Sequence, residues 1–269
     1  MEILFCADVH GNEMHYFKIL ERARNFDVLV FGGDLCPKNL DMQKQREFLE
    51  NYLIPRLNEL KQKKQELKIF LMLGNDDFAY NYEVLKEHEK AYQVLDKTTE
   101  LGHGFYIRGY PFVPITPFRL KDWEKWDMNE KRIDKSMQLQ GIKTWNGRYE
   151  GKVFTDADND SIENDMSGLF ESPQNTIYVF HAPPFKTKLD IVYSKEHVGS
   201  RALRNAIEKY QPLLTLHGHI HETVDMSGEY LDRIGDTICA SAGNHHTYPN
   251  PAVLEISLPS RSVKRVVLD

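Results

Sequence analysis

The sequence has little cysteine, no long apolar run and no block of a single charge. Its three cysteines, Cys6, Cys36 and Cys239, are an odd number without the paired spacing of a metal site. Each lies in or beside an apolar stretch, so they read as buried free thiols rather than as a disulfide framework. No apolar run approaches the roughly 20 residues of a membrane span, and no basic-then-apolar leader precedes the first strand. No membrane partner is therefore expected, and the chain reads as cytoplasmic. Its 34 Lys and Arg are interleaved with 40 Asp and Glu, giving a net charge of −6, which argues against a general nucleic-acid surface. What is present is a 41% hydrophobic content over 269 residues, enough to bury a sizeable α/β core.

The organising pattern is a set of short apolar runs that stop on metal-ligating or glycine chemistry. Ile3-Leu4-Phe5-Cys6-Ala7 runs into Asp8-Val9-His10-Gly11-Asn12, and Val28-Leu29-Val30-Phe31 runs into Gly32-Gly33-Asp34. Lys68 to Leu73 ends on Gly74-Asn75-Asp76-Asp77, and Thr176 to Phe180 ends on His181, whose following prolines stop the chain from continuing as helix. Leu213 to Leu216 enters His217-Gly218-His219-Ile220-His221, the strongest local signal, where a turn at Gly218 lets two imidazoles converge. Strand ends in α/β proteins are where ligands collect, so these residues are expected on one edge.

Between the strands, apolar spacing predicts helices over 13–25, 41–65 with a kink at Pro55, 80–92 and 200–210. On the first of these, Met14, Phe17, Ile19, Leu20 and Ala23 form the expected buried face. Further strands are expected over 105–110, 237–242, 252–257 and 263–268. Residues 118–170 carry all three tryptophans, much charge and no sustained periodicity, and read as an insertion that acts as a lid over the site. Four histidines, His15, His88, His103 and His197, lack partner spacing and are expected on the surface or as caps.

Asp8, His10, Asp34, Asn75, His181, His219 and His221 supply imidazoles, carboxylates and an amide oxygen, a donor set suited to divalent transition metals. Seven ligands exceed what one ion takes. A bridging carboxylate with about three further ligands on each side would hold two ions ~3.5–4 Å apart, the arrangement that clamps an in-line phosphoryl displacement.

These five ordered motifs resemble those of the calcineurin-like metallophosphoesterase superfamily, and the resemblance spans nearly the whole chain. It implies a four-layer α/β/β/α sandwich of two mixed sheets flanked by helices, formed by a single domain over 1–269 with the insertion at about 118–170. By the same resemblance Asp8, His10 and His221 hold a first ion, Asn75, His181 and His219 a second, and Asp34 bridges them. The ions would be Mn, Fe, Zn or Ni. The implied reaction is hydrolysis of a small-molecule phosphoester, nucleotide-like esters among the candidates, by in-line attack of water activated between the ions. Asn12, in the loop of Asp8 and His10, is a candidate phosphate contact.

One departure bears on mechanism. The family's third motif usually reads Gly-Asn-His followed by an acid, and here Asp76 takes the place of that histidine. Asp76 is thus a candidate catalytic residue without the usual acid's imidazole, and His217 and His245 are candidates to supply the proton in its stead. The reading is a phosphodiesterase. The alternatives are a phosphomonoesterase or Ser/Thr-type protein phosphatase and a non-catalytic interaction scaffold on the same fold, which would be expected to have lost metal ligands.

Overall fold

In the computed structural model, which describes residues 1–38 and 41–269, two six-stranded mixed sheets lie face to face. The first runs in spatial order Ser262–Val267, Ala252–Ser257, Glu2–Cys6, Val28–Gly32, Lys68–Met72 and Gln93–Val94. Its last four strands are mutually parallel, and the two C-terminal strands pair antiparallel. The second runs Leu231–Ile234, Thr237–Ser241, Leu214–His217, Thr176–Phe180, Phe105–Tyr110 and Thr99–Gly102, with its middle four strands parallel.

Strand alternation separates the layers. Ile3, Phe5, Val28, Val30, Phe70 and Met72 point inward and meet Ile107, Ile177, Val179, Leu214 and Leu216 of the other sheet. Their neighbours Leu4, Cys6, Leu29, Phe31, Ile69 and Leu71 point outward onto the helices of Glu13–Ala23 and Ile54–Lys63 through Tyr16, Ile19, Leu57 and Leu60. On the far side Tyr178, Phe180 and Cys239 pack on Ala202, Leu203 and Ile207 of the helix Arg201–Tyr210. The result is the expected four-layer α/β/β/α sandwich, with all three cysteines buried and free. Among the described residues no helix is long and apolar enough to cross a membrane.

Several local expectations are corrected. Met14 and Phe17 are exposed, and the first helix turns His15, Tyr16, Ile19, Leu20 and Ala23 inward. The second long helix contains a π-helical stretch at Leu49–Leu53 just before Pro55, which sits in the first turn of the next segment. Proline has no N–H and crowds the carbonyl four residues back, so the preceding turn widens. The helix expected over 80–92 spans only Asn81–Glu87, because the Glu89 carboxylate takes the Val94 N–H and turns the chain into a strand. Segment 118–170 is more regular than its composition suggests. It holds an antiparallel hairpin, Gln140–Trp145 with Arg148–Val153, and a helix at Ile162–Met166. Asn146 and Gly147 connect the hairpin with φ of 46° and 69°, the left-handed pair that a two-residue turn of type I′ requires.

Candidate metal centre

The site forms where parallel strands of both sheets end. Asp8 lies two residues beyond Glu2–Cys6, Asp34 two beyond Val28–Gly32, and Asn75 three beyond Lys68–Met72. From the second sheet, His181 directly follows Thr176–Phe180, and His219 and His221 follow Leu214–His217. Backbone hydrogen bonds fasten the loops together: Asp8 N–H to Gly33 O at 3.0 Å, His10 N–H to Asp34 O at 2.9 Å, and Gly218 N–H to His181 O at 3.0 Å. Asp8, His10, Asp34 and His219 all have positive φ, of 58°, 47°, 54° and 68°. Each such conformation costs about 1–3 kcal/mol in a non-glycine residue and persists where the surroundings enforce it. Gly33 fills a related need, since a Cβ there would stand 2.5 Å from His181 Nδ1.

All seven expected donors converge. His10 Nε2 and His221 Nε2 are 3.1 Å apart, and His221 Nε2 is 3.6 Å from Asp8 Oδ1. Asp34 Oδ2 lies 3.6 Å from His10 Nε2 and 3.4 Å from His181 Nε2. Asn75 Oδ1 is 3.1 Å from His181 Nε2 and 2.7 Å from His219 Nδ1. Two donors held at ~2.1 Å on one ion stand roughly 3–3.4 Å apart, so these spacings suit the edges of coordination shells. The second ring nitrogen of His181 faces Gly32 O at 2.9 Å, which orients the imidazole and directs Nε2 to the cluster. Asn75 Nδ2 donates to Asp76 Oδ1 at 3.3 Å, which aims the amide oxygen at the imidazoles.

The electrostatics favour a cation. Asp8 and Asp34 are buried, and among the described residues their ion-pair partners are histidines alone. Burial works to raise both carboxyls, but His221 and His181 hold Asp8 below the usual range, and His181 and His10 do the same for Asp34. Burial drives His10 down to about 3, and burial with the field of His181 drives His219 to about 3, so both offer neutral lone pairs. Burial works against His181 and His221 as well, but Asp34 raises His181 to about 9 and Asp8 raises His221, so in place of a lysine or arginine these two imidazoles carry the positive charge that the buried carboxylates need, a charge that divalent ions would supply instead. Asp8, His10, Asp34 and His221 present donor atoms that all lie within 4.8 Å of one another, as do His10, His221 and His246.

Two candidates fall outside the cluster. His217 faces the opposite side of its strand, where it contacts Ala182 O at 2.9 Å and Thr215 Oγ1 at 2.8 Å and stacks on Phe180. Asn12 borders the site, but its Oδ1 caps the first helix at His15 N–H, 3.1 Å, and its Nδ2 donates to His246 O at 2.8 Å. It therefore anchors the His245–His246 loop with one Nδ2 hydrogen and keeps the second. His15 is buried rather than exposed, with Nε2 2.8 Å from Tyr248 O, and His197 pairs with the buried Asp190 at 2.7 Å. Trp126 is buried against Phe154, and the half-buried Trp123 packs on Phe112.

Three contributors escaped the sequence reading. The Asp77 carboxylate accepts from the N–H groups of Leu35, Cys36 and Gly74 at 3.0, 2.8 and 2.9 Å and ties two motif loops together. Asn244 Nδ2 donates to Ala7 O and Asp8 O at 3.0 and 3.1 Å. Lys38 Nζ pairs with Asp76 Oδ2 at 3.1 Å. The acid after Asp76 was a usable signal for the first; a lysine four residues past Asp34 carries none.

Residues 1–223 match the family model for calcineurin-like phosphoesterases. The chain belongs to that family. It is thus a phosphoester hydrolase of a metal-dependent family, and its buried Asp/His cluster could bind metal. A relative of this phosphoesterase is an uncharacterized protein of Methanocaldococcus jannaschii, 36% identical over 155 residues that cover 55% of this chain and 69% of the relative. The fold is similar to that of TT1561 of Thermus thermophilus, with a TM-score of 0.60 at 17% identity over 100% of this chain and 99% of that one. It is also similar to a dimetal phosphatase from Danio rerio, with a TM-score of 0.52 at 10% identity over 100% and 99% of the two chains.

Proposed function

We propose that this phosphoesterase is a dinuclear metal-dependent phosphodiesterase formed by a single domain, with segment 118–170 as an insertion beside the site. Asp8, His10 and His221 hold one ion, Asn75, His181 and His219 the other, and Asp34 bridges. The observation that carries this reading is the position of Asp34 Oδ2, 3.6 Å from His10 and 3.4 Å from His181, between two separate groups of donors. The Danio rerio neighbour is a dimetal phosphatase by description, and the same ion count is proposed here on the chain's own donors. Bound divalent ions supply Lewis acidity and a nucleophilic water near neutral pH. The residues orient that chemistry: the hydrogen bond to Gly32 O fixes His181, the one to Asp76 Oδ1 fixes Asn75, and Asp76 N–H to Asp34 Oδ1 at 2.9 Å fixes the bridge.

Preference for diesters follows from Asp76. The position that carries an imidazole in the family carries a carboxylate here; Lys38 offsets part of its charge, and the remainder disfavours a monoester dianion more than a diester monoanion. The test is a panel of phosphodiesters, cyclic nucleotides and phosphomonoesters, assayed after loading with Mn²⁺, Fe²⁺, Zn²⁺ or Ni²⁺. Diester turnover should exceed monoester turnover and vanish on chelation. Turnover that survives complete demetallation sinks the metal mechanism, and a preference for monoesters sinks the diesterase assignment.

A further inference from the structure

The mouth of the site holds an ion pair that the family pattern does not anticipate. Lys38 Nζ lies 3.1 Å from Asp76 Oδ2, and the same oxygen is 3.8 Å from His10 Nδ1, a buried ring nitrogen without a hydrogen-bond partner. The lysine side chain is 40% exposed and the aspartate side chain 15%, so the pair spans from solvent to the donor cluster. Lys38 Nζ also stands 5.9 Å from the ring centroid of Phe118, the first residue of segment 118–170. His10, His221, His245 and His246 all feel its positive charge.

We propose that Lys38 contacts the phosphoryl oxygens of the substrate at the mouth of the site, and that Asp76 is its positioning residue. A partly exposed lysine pair contributes little to fold stability, because solvent screens it and ordering the long side chain costs entropy. At this place the same pairing serves a different end. It holds a flexible ammonium group over the donor cluster, ready to meet non-bridging oxygens on the side away from the metal ligands. Asp76 thus takes over the location of the family's imidazole without its chemistry and delivers a permanent cation there from a neighbouring loop. A phosphate arriving between Lys38 and the cluster displaces the carboxylate as the lysine's partner, exchanging one anion for another.

This inference rests on the proposed dinuclear reading, and the experiment separates the two. Metal content and bis(4-nitrophenyl) phosphate turnover of the wild type test the reading; comparison of variants tests the lysine. Inorganic phosphate binding is measured by calorimetry on Mn²⁺-loaded wild type, Lys38→Ala, Lys38→Arg and Asp76→Asn, so it is read whether or not an ester turns over. Lys38→Ala should weaken phosphate binding about tenfold and raise KM by a similar factor at unchanged metal content, with Lys38→Arg recovering to within about threefold. Asp76→Asn should also weaken phosphate, because an unanchored lysine outweighs the loss of one repelling charge. Binding by Lys38→Ala within twofold of wild type overturns the contact. Tighter phosphate binding by Asp76→Asn overturns the positioning role, and absence of phosphate binding by the metal-loaded wild type overturns both.

Discussion

His10 and His221, 211 residues apart in sequence, face each other through their Nε2 atoms at 3.1 Å. Two imidazole nitrogens at that distance share one hydrogen at most, and burial holds His10 neutral. The proposed first ion replaces that hydrogen as the common partner, so removing either ring should cost that ion and spare the second. Asp34 touches both groups of donors, and its loss should cost both. After dialysis, His10→Ala is expected to retain about one equivalent of metal and Asp34→Asn much less than one. Equal metal content in the two variants would count against the bridge.

The leaving group supplies a second prediction. An imidazole with pKa ~6.5 can donate a proton near pH 7, whereas an ordinary aspartate at ~3.9 mostly cannot. In the metal-free protein, burial and the nearby Asp34 push Asp76 up to about 6 against the pull of Lys38, and bound cations would bring it down again. Wild-type diester rates are therefore expected to fall steeply as the leaving group becomes more basic, and Asp76→His should flatten that slope. A flat wild-type slope with chemistry rate-limiting would place the proton donor elsewhere. His217 is turned away from the site, so the His245–His246 loop would be the next place to look.

The donor set was legible because each member follows an apolar strand run, and parallel strands bring their C-terminal ends to one edge whatever their order. The layers were legible for the same reason, through alternation. His217 shows how the same rule could have gone further: in a strand it shares a face with Thr215, to which it bonds, and so points away from the edge cluster. The hairpin around Asn146-Gly147 carried a strong turn signal, but its strands are mostly polar and half exposed and show no apolar alternation. Lys38 and Asn244 left no trace, since their roles depend on loops that meet only in three dimensions.

Within segment 118–170 one aromatic ring is buried and another stands exposed beside Lys38. Trp126 is 2% exposed, with its indole N–H donating to Thr155 O at 3.1 Å, whereas Phe118 is 48% exposed beside Lys38. Trp126→Ala should destabilise the protein by about 3–5 kcal/mol, read by thermal denaturation, with little change in KM of the folded fraction. Phe118→Ala should change stability by less than about 0.5 kcal/mol and raise KM for esters with a bulky second arm while sparing small ones. If KM for large and small esters shifts alike, Phe118 has no selective role.

A buried ion pair in the same segment gives the fold a pH dependence that can be isolated. Lys121 Nζ and Glu124 Oε2 are 2.7 Å apart with both side chains fully buried, and Glu124 also accepts from Thr116 N–H at 3.0 Å. Burial raises the Glu124 carboxyl from its ordinary value of 4.5 to about 7, although Lys121 and Thr116 pull the other way, and burial lowers Lys121. A carboxyl whose folded value is raised binds its proton more tightly in the folded state. Its stabilising contribution is complete below about pH 4.5 and is lost as pH rises through about 7. The wild type should therefore lose thermal stability over that window relative to Glu124→Gln, whose side chain does not titrate. The double variant Lys121→Met with Glu124→Leu, which removes both buried charges, should likewise show no loss of stability over that window. Parallel melting curves of wild type and Glu124→Gln from pH 4.5 to 7.5 would show that this carboxyl makes no such contribution.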